Sequence, residues 1–438
     1  MRSNPPQMAS QAQRTHLEEM ADVRRFFETL NHADTFRYCL NLNRDRYPDA
    51  PGLAASTIVV CIDTEGWDAS SNVVKELGIN VFDSRDMARL TSPGPWGMHI
   101  MKNIYFYFAR IQKHAHLRNK NASAGDPEKN RFGQMRFLDD REIIDCLKDT
   151  FEWPLGNVDD GVVRPVVLLG HALDNDVEKI EKYLGFDLMA KGNLVKQIDT
   201  QVIARNVGHW NHPNNQIGLT RLVNNLDFTY RDGHTASNDA AMTTICAIQL
   251  VLSNKYKGAG QPRSLQNVVD QTERDSQSHD WSHGSKLFCF RCGSRAHMVN
   301  RAPNGYCQAR VRCTRCAIER PNSQWGHRSE TCVMTMFETS NSSRPNPNRR
   351  RGRQPPASQT DVSAENSTIP TASTPIQTPP IGRGTQSTQP PAPTSSWAII
   401  AARPAPDAMG PTRSSRGRLV VRPASLRPQQ RDANNGKP

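Results

Sequence analysis

Two groups of residues in this 438-residue chain have the types and spacing to do chemistry. The first is acidic. Asp63 and Glu65 close an apolar run in Ile62-Asp63-Thr64-Glu65-Gly66, and because strand side chains alternate, both carboxylates point to one face. Like charges so close are costly unless a cation lies between them. A second apolar run leads into Gly170-His171-Ala172-Leu173-Asp174-Asn175-Asp176, with an acid five positions beyond the histidine. Gly233-His234-Thr235-Ala236-Ser237-Asn238-Asp239 then places H-x4-D at the head of a helical segment.

The second group is rich in sulfur. Six of the ten cysteines fall between Cys289 and Cys332, a clustering that metal explains better than disulfides inside a cell. Cys289-x2-Cys292-x4-His297-x9-Cys307 offers one four-ligand set and Cys313-x2-Cys316-x10-His327-x4-Cys332 a second. Three thiolates and one imidazole in a closed tetrahedral set select structural Zn²⁺, so two structural zinc ions are expected. Sequential and interleaved pairings of these ligands are both open. Phe290 and Trp325 offer faces on which an unpaired base could stack, and Arg291, Arg295, Arg310, Arg312 and Arg315 offer phosphate contacts. Aromatics interleaved with arginines favour single-stranded nucleic acid as the partner. A protein-binding zinc module or a folding staple is the alternative.

The ordered set D-x-E, an acid after G-H, and H-x4-D resembles the three exonuclease motifs of the DEDDh (DnaQ-like, ribonuclease T-like) members of the RNase-H-like superfamily. The segment His234-Thr235-Ala236-Ser237-Asn238-Asp239-Ala240 is also similar to a fungal subgroup, the "good for full DEAD-box activity" proteins. The resemblance runs from about Ile58 to Leu252 and does not extend to the tail. It implies that Asp63, Glu65, Asp176 and Asp239 hold two divalent cations, Mg²⁺ or Mn²⁺, and that His234 is the general base. The implied activity is 3′-to-5′ exonucleolysis releasing nucleoside 5′-monophosphates. Charge and reactivity agree: four carboxylates match two divalent ions, which can clamp the attacking and leaving oxygens of an in-line displacement, and histidine titrates near neutral pH.

The match has departures. The second motif commonly reads H-N-x-x-F-D, whereas Ala172 and Asn175 stand where Asn and Phe are usual, so Asp174 competes with Asp176 and spacing favours Asp176. Trp67 follows Gly66 where a small residue often seats the terminal nucleotide; it is either a stacking face or core. Asp199 reads as a structural acid, the alternative being an acid that supports the site from behind; His209 and His212 resemble a metal pair but read as solvated loop histidines, and His171 as a residue that orients Asp176 or caps the next helix.

These residues need a scaffold. Thr57 to Ile62 and Val162 to Leu169 read as buried strands, Glu76 to Phe82 and Asn103 to Ala109 as further strands, and Val195 to Ile198 as a short one. Asp176 to Leu184 and Ser237 to Leu252 have helical patterns, as does Thr15 to Leu30. Strands alternating with helices, two of the strands almost wholly apolar, indicate a sheet covered on both faces. The expected architecture is α/β, an RNase-H-like mixed sheet flanked by helices, followed by a small zinc-binding module and a disordered tail. The expected boundaries are an N-terminal helical extension over 1–55, the exonuclease domain over 56–256, a linker over 257–285, the tandem zinc module over 286–333 and the tail over 334–438. Residues 113 to 132 read as a surface insertion.

Charge divides along the same lines. Residues 1–285 carry 32 basic and 36 acidic groups, residues 286–332 carry 9 and 2, and residues 333–438 carry 14 and 5, giving the net +12. A basic appendage on an acidic body suggests a polyanionic partner. The tail holds 17 of the 30 prolines, and its positive charge is almost all arginine, as in Arg349-Arg350-Arg351-Gly352-Arg353. Such Arg-Gly composition favours RNA over DNA. No apolar run is long enough to span a bilayer, and the first thirty residues lack a signal-peptide core, so an intracellular protein is expected, nuclear or cytoplasmic. The rival from another class is a non-catalytic RNase-H-like RNA-binding adaptor in RNA processing or export.

Overall fold

The computed structural model describes residues 11–120, 124–156, 161–212, 215–258, 260–298 and 307–334. The tail expected to be disordered, with its arginine runs, lies outside them from residue 335 onward. No helix among the described residues is long and apolar enough to cross a membrane.

The elements in chain order are α1 (Gln11–Thr29), α2 (His32–Cys39), β1 (Ile58–Trp67), β2 (Ser70–Asp83), α3 (Ser84–Ala88), α4 (Met98–Met101), β3 (Tyr105–Ile111), β4 (Gln134–Leu138) and α5 (Asp140–Phe151). They continue with β5 (Val166–Gly170), α6 (Asp174–Tyr183), β6 (Leu194–Asp199), α7 (Thr200–Asn206), α8 (Leu219–Asn225), α9 (Ala236–Val251), α10 (Leu265–Ser276) and α11 (Thr314–Glu319). The six strands form one mixed sheet in the order β4-β3-β2-β1-β5-β6. β1 is antiparallel to β2 and parallel to β5, which places it near the middle, where an almost unbroken apolar sequence is required.

Alternation along β1 divides the core. Val59 and Cys61 face a layer containing α1, α2, α7, α9 and α10, while Ile58, Val60 and Ile62 face a layer containing α5 and α6. Every residue of α9 is buried. Its small residues let it lie close to the sheet: Cys61 Sγ is 3.5 Å from Ala240 O, and Asn80 Nδ2 donates to Thr244 Oγ1 at 2.9 Å. Gly78, paired with Asp63 across the β1–β2 ladder, is what permits this approach, because a Cβ there would collide with the Ala236 carbonyl. Gly78→Ala is therefore expected to destabilise the protein by about 3 kcal/mol. Urea unfolding measures it, and a loss under about 1 kcal/mol would mean that α9 does not pack so closely on β2.

The structure corrects several expectations about organisation. Within the expected extension 1–55, the described residues 11–55 are not an appendage: Met20, Val23 and Phe27 of α1 and Ala33, Phe36 and Cys39 of α2 belong to the main core. Nor is 257–285 a bare linker. α10 buries Leu265, Val268 and Val269 in the same core, and Trp281 packs against Tyr107 in the opposite layer. The stretch 113–132 is only partly a surface insertion, since Phe132 is fully buried and His114 and Leu117 are also covered. Strand β4 and helix α5 were not anticipated, although α5 has a clear amphipathic pattern. α5 is also well begun, with Asp139 and Glu142 forming a capping box.

Candidate functional site

The five residues of the acidic set meet at the carboxyl end of β1. Alternation puts Asp63 and Glu65 on the α9 side of the sheet, where α9 brings Asp239 in its first turn and the preceding loop brings His234. One ligand atom from each of Glu65, His234 and Asp239 lies within 4.8 Å of the others, with His234 Nδ1 3.9 Å from Glu65 Oε1. The ring of His234 is open to solvent, its side chain 60% exposed.

Asp176 reaches the site from the other layer. The β1–β5 ladder ends at Cys61 and Leu169, so the β5 side of Thr64 lies beyond that pairing. Asp176 Oδ1 accepts from the Thr64 amide at 2.9 Å and from its hydroxyl at 2.5 Å. Asp176 is buried and Asp174 is exposed, so of the two competing acids it is Asp176 that the fold turns inward. Lys179, one helical turn further on, donates to Thr64 O at 3.0 Å.

Burial and mutual repulsion hold these acids towards their protonated forms. Glu65 is pushed up to about 7, first by burial and then by the charges of Asp239 and Glu76. Asp239 also rises to about 7 through burial, against the opposing hydrogen bonds of the Tyr230 hydroxyl and the His234 amide. Asp63 lies well above the usual carboxylate range, driven by burial and then by Asp239, Asp176 and Glu65. Burial raises Asp176 too, opposed by Thr64. A donor set of this kind fits divalent cations, whose charge would remove the repulsion.

This makes a pH prediction. A carboxyl raised in the folded state binds its proton more tightly there than in the unfolded chain, so without metal its stabilising contribution is complete below the ordinary carboxylate range and is lost as pH rises towards about 7. The metal-free melting temperature should fall by roughly 5 °C between pH 5 and 8, and added Mg²⁺ or Mn²⁺ should recover most of that fall at pH 8. Melts at the two pH values test it. A metal-free melting temperature that climbs over this range would contradict the electrostatics of the cluster.

Three participants escaped the sequence reading. Tyr230 Oη donates to Asp239 Oδ1 at 2.6 Å, and its ring fills the space a side chain on Gly233 would need. Glu76 is a fifth acid, opposite Glu65 in the β1–β2 ladder. It is buried beside Lys75, and one of its oxygens has no hydrogen-bond partner. Only the spacing of Lys179 from Asp176, on one helical face, could have suggested any of them.

Residues with weaker claims find other duties. Trp67 is buried against Val73 and Leu117, and its Nε1 donates to Arg118 O at 3.3 Å, so it is core rather than a stacking face. Asp199 caps α7 and accepts from the Ala172 amide at 2.8 Å, holding Ala172 at φ +60°. His171 Nδ1 lies 2.6 Å from Thr200 Oγ1, whereas α6 has no side-chain cap. His209 and His212 join none of the metal-competent groups among the described residues.

The cysteine module folds in sequential sets. The ligand atoms of Cys289, Cys292, His297 and Cys307 lie within 4.8 Å of one another, as do those of Cys313, Cys316, His327 and Cys332. The cysteines of both sets are free thiols. The first set is docked on the edge of the main sheet. The Phe137 amide donates to Ser285 O at 2.8 Å and the Ser285 amide to Phe137 O at 3.0 Å, extending β4 by one bridge. Phe288 and Met298 join Phe137 in a small core with Phe290 packed against it. Arg295 grips the α5 capping box, donating to Glu142 at 2.7 Å and to Asp139 at 2.9 Å.

Phe290 and Arg295 are thus engaged in docking, and Arg291 is half-buried. On the second set, Trp325 is 60% exposed, with the Arg312 guanidinium 5.9 Å from its ring centre. Arg312 also donates to Gln324 at 2.6 Å, and Arg315 is paired with Glu319. Of the candidate nucleic-acid contacts, Trp325, Arg310 and Arg312 are therefore the ones presented outward.

Residues 58–250, less than half of the chain, match the DEDDh family model described as DNA polymerase III subunit epsilon-like, C-terminal domain. No curated protein matches the sequence. Among solved structures, exonuclease I is similar at 12% identity with a TM-score of 0.29, over 44% of this chain and 40% of that one. The zinc-ion-bound E. coli exonuclease I complex with single-stranded DNA is similar at 12% identity with a TM-score of 0.28, over the same shares. The chain spans about 40% of the length of these structures.

Proposed function

We propose, with residues 58–250 a domain of the DEDDh exonuclease type, that this protein removes nucleotides from the 3′ end of single-stranded nucleic acid, RNA in preference to DNA, and releases 5′-mononucleotides. The observation that carries the reading is the convergence of Asp63, Glu65, Asp176 and Asp239, from both layers of the sheet, beside the exposed ring of His234. Asp63, Glu65, Asp176 and Asp239 would hold two Mg²⁺ or Mn²⁺ ions, which supply Lewis-acid stabilisation of charge on the reacting phosphate. His234 accepts the proton of the attacking water; its open ring allows that proton to pass on to solvent. Thr64 keeps Asp176 oriented, and Tyr230 does the same for Asp239.

The two Cys₃His sets would each hold a structural Zn²⁺. Trp325 and Arg312 provide a stacking face and a phosphate contact for the incoming strand, and the arginine-rich tail composition supports RNA. The test is a gel time course with 5′-labelled single-stranded RNA and DNA, with and without Mg²⁺ or Mn²⁺. A ladder shortening from the 3′ end, dependent on metal and reduced at least about a hundredfold by His234→Ala, is the expected result. Intact substrate in every lane with binding retained would overturn the catalytic reading in favour of an RNA-binding adaptor.

A further inference from the structure

The DEDDh match ends at residue 250, and helix α10 lies beyond it. Yet α10 holds the loop that carries His234. That loop is conformationally demanding: φ is +60° at Asp227, +50° at Asp232 and +58° at His234. Residues other than glycine keep such angles only when their surroundings fix them.

Asn238 Nδ2 donates to Asp232 O at 2.8 Å and Asp239 Oδ2 accepts from the His234 amide at 3.1 Å, and the rest of the fixing comes from one face of α10 and the arginines it holds. The Thr229 amide donates to Gln266 Oε1 at 2.8 Å. Arg231 Nη2 donates to Asp270 at 2.5 Å and to Glu273 Oε2 at 2.8 Å. Arg131, just before β4, donates to Asp232 at 2.5 Å and to Glu273 Oε1 at 2.9 Å. Glu273 is the shared acceptor of both guanidiniums, and its side chain is only 19% exposed. The opposite face of α10 is locked into the main core by Leu265, Val268 and Val269, so these acids are fixed relative to the sheet that bears Asp63 and Glu65.

We infer that α10 is part of the nuclease machinery, with Glu273 a positioning residue that sets His234 through Arg131 and Arg231. The inference rests on the reading of His234 as the base. Glu273→Gln keeps the size of the side chain and removes its charge, so a change in placement is read against the melting temperature measured beside it. A displacement of about 1 Å at a catalytic group can slow a reaction about a hundredfold.

The experiment compares full-length wild type, Glu273→Gln, Glu273→Asp and Arg274→Gln, the last on the exposed side of α10 as a control. With single-stranded RNA and Mg²⁺, Glu273→Gln is expected to lower kcat by between about tenfold and a hundredfold while KM stays within about twofold. Glu273→Asp should recover part of the loss, and Arg274→Gln should match wild type. Independently of turnover, the His234 ring resonance, identified by its absence in His234→Ala, should shift in Glu273→Gln and stay in place in Arg274→Gln. An unchanged kcat with an unmoved resonance overturns the inference. So does a loss that follows a large drop in melting temperature and is not relieved by Glu273→Asp, because that marks a role in folding alone. An inactive wild type would overturn the functional reading instead, and the resonance would still decide whether α10 sets His234.

Discussion

Asp63→Asn is expected to reduce turnover by at least about a thousandfold and, at the same time, to raise the melting temperature of the metal-free protein. Asp63 sits on the central strand with its carboxyl held well above the usual range by burial and by three neighbouring acids. Its charge is therefore a liability to the fold in the absence of a cation. Asn keeps the shape and removes the charge, which relieves Glu65, Asp176 and Asp239 together. The same change takes away one of the four carboxylates that would hold the metals, so stability and activity should move in opposite directions. That is the signature of a residue kept for chemistry at the expense of stability. Paired melts and single-turnover assays check it; a variant that is both as active as wild type and no more stable would remove Asp63 from the catalytic set.

The second large effect concerns the zinc module. Cys316→Ser should lower bound zinc from two ions to one per chain and unfold residues 311–334, leaving Cys307 with the first set. The cluster around the second set consists of Cys313, Cys316 and Cys332 with Met334 packed against it, which is far too little apolar surface to hold a segment of that length. Metal must supply the difference, and apparent zinc-binding energies in finger peptides are about 10–16 kcal/mol. Trp325 and Arg312 are arranged across a single bridge between Arg312 and Trp325, so they lose their geometry with the metal. Single-strand affinity near physiological salt should fall about tenfold, a loss in line with that of one stacked base. The main sheet and its helices should stay folded, because the docking residues Ser285, Phe288 and Arg295 precede the second set. Metal analysis and hydrogen exchange over 311–334 would show it, and full protection with one zinc would rule out a folding role for the second ion.

How much of this was written in the sequence differs from residue to residue. Buried strands β1 and β5 were legible because a strand covered on both faces must be apolar throughout, and helix α9 because its apolar and small residues persist over four turns. The cysteine sets were legible because C-x2-C spacing brings two sulfurs to one ion by local geometry alone. The order of Asp63, Glu65, Asp176, His234 and Asp239 pointed to a nuclease-type centre. Strand β4 was missed because a five-residue edge segment, Gln134–Leu138, carries little periodicity. Helix α1 was read as peripheral because an amphipathic helix shows which face it buries but not which core receives it, and α2 and α10 were not read as helices.

The sequence by itself determined which residues could bind metal, which segments must be buried and where the charge changes sign. It did so because ligand type, hydropathy and net charge are properties of the chain independent of its path. Only the tertiary structure decided which acids meet. Asp176 was separated from Asp174 by the turn of one helix and by the reach of Thr64, from the layer opposite Asp63 and Glu65. Glu76 entered the site across the β1–β2 ladder and Tyr230 through the loop that bends it back onto Asp239, and Glu273 came to hold the His234 loop from a distant helix. Such pairings are set by strand register, by the close approach at Gly78 and by the docking of α10, none of which local spacing encodes.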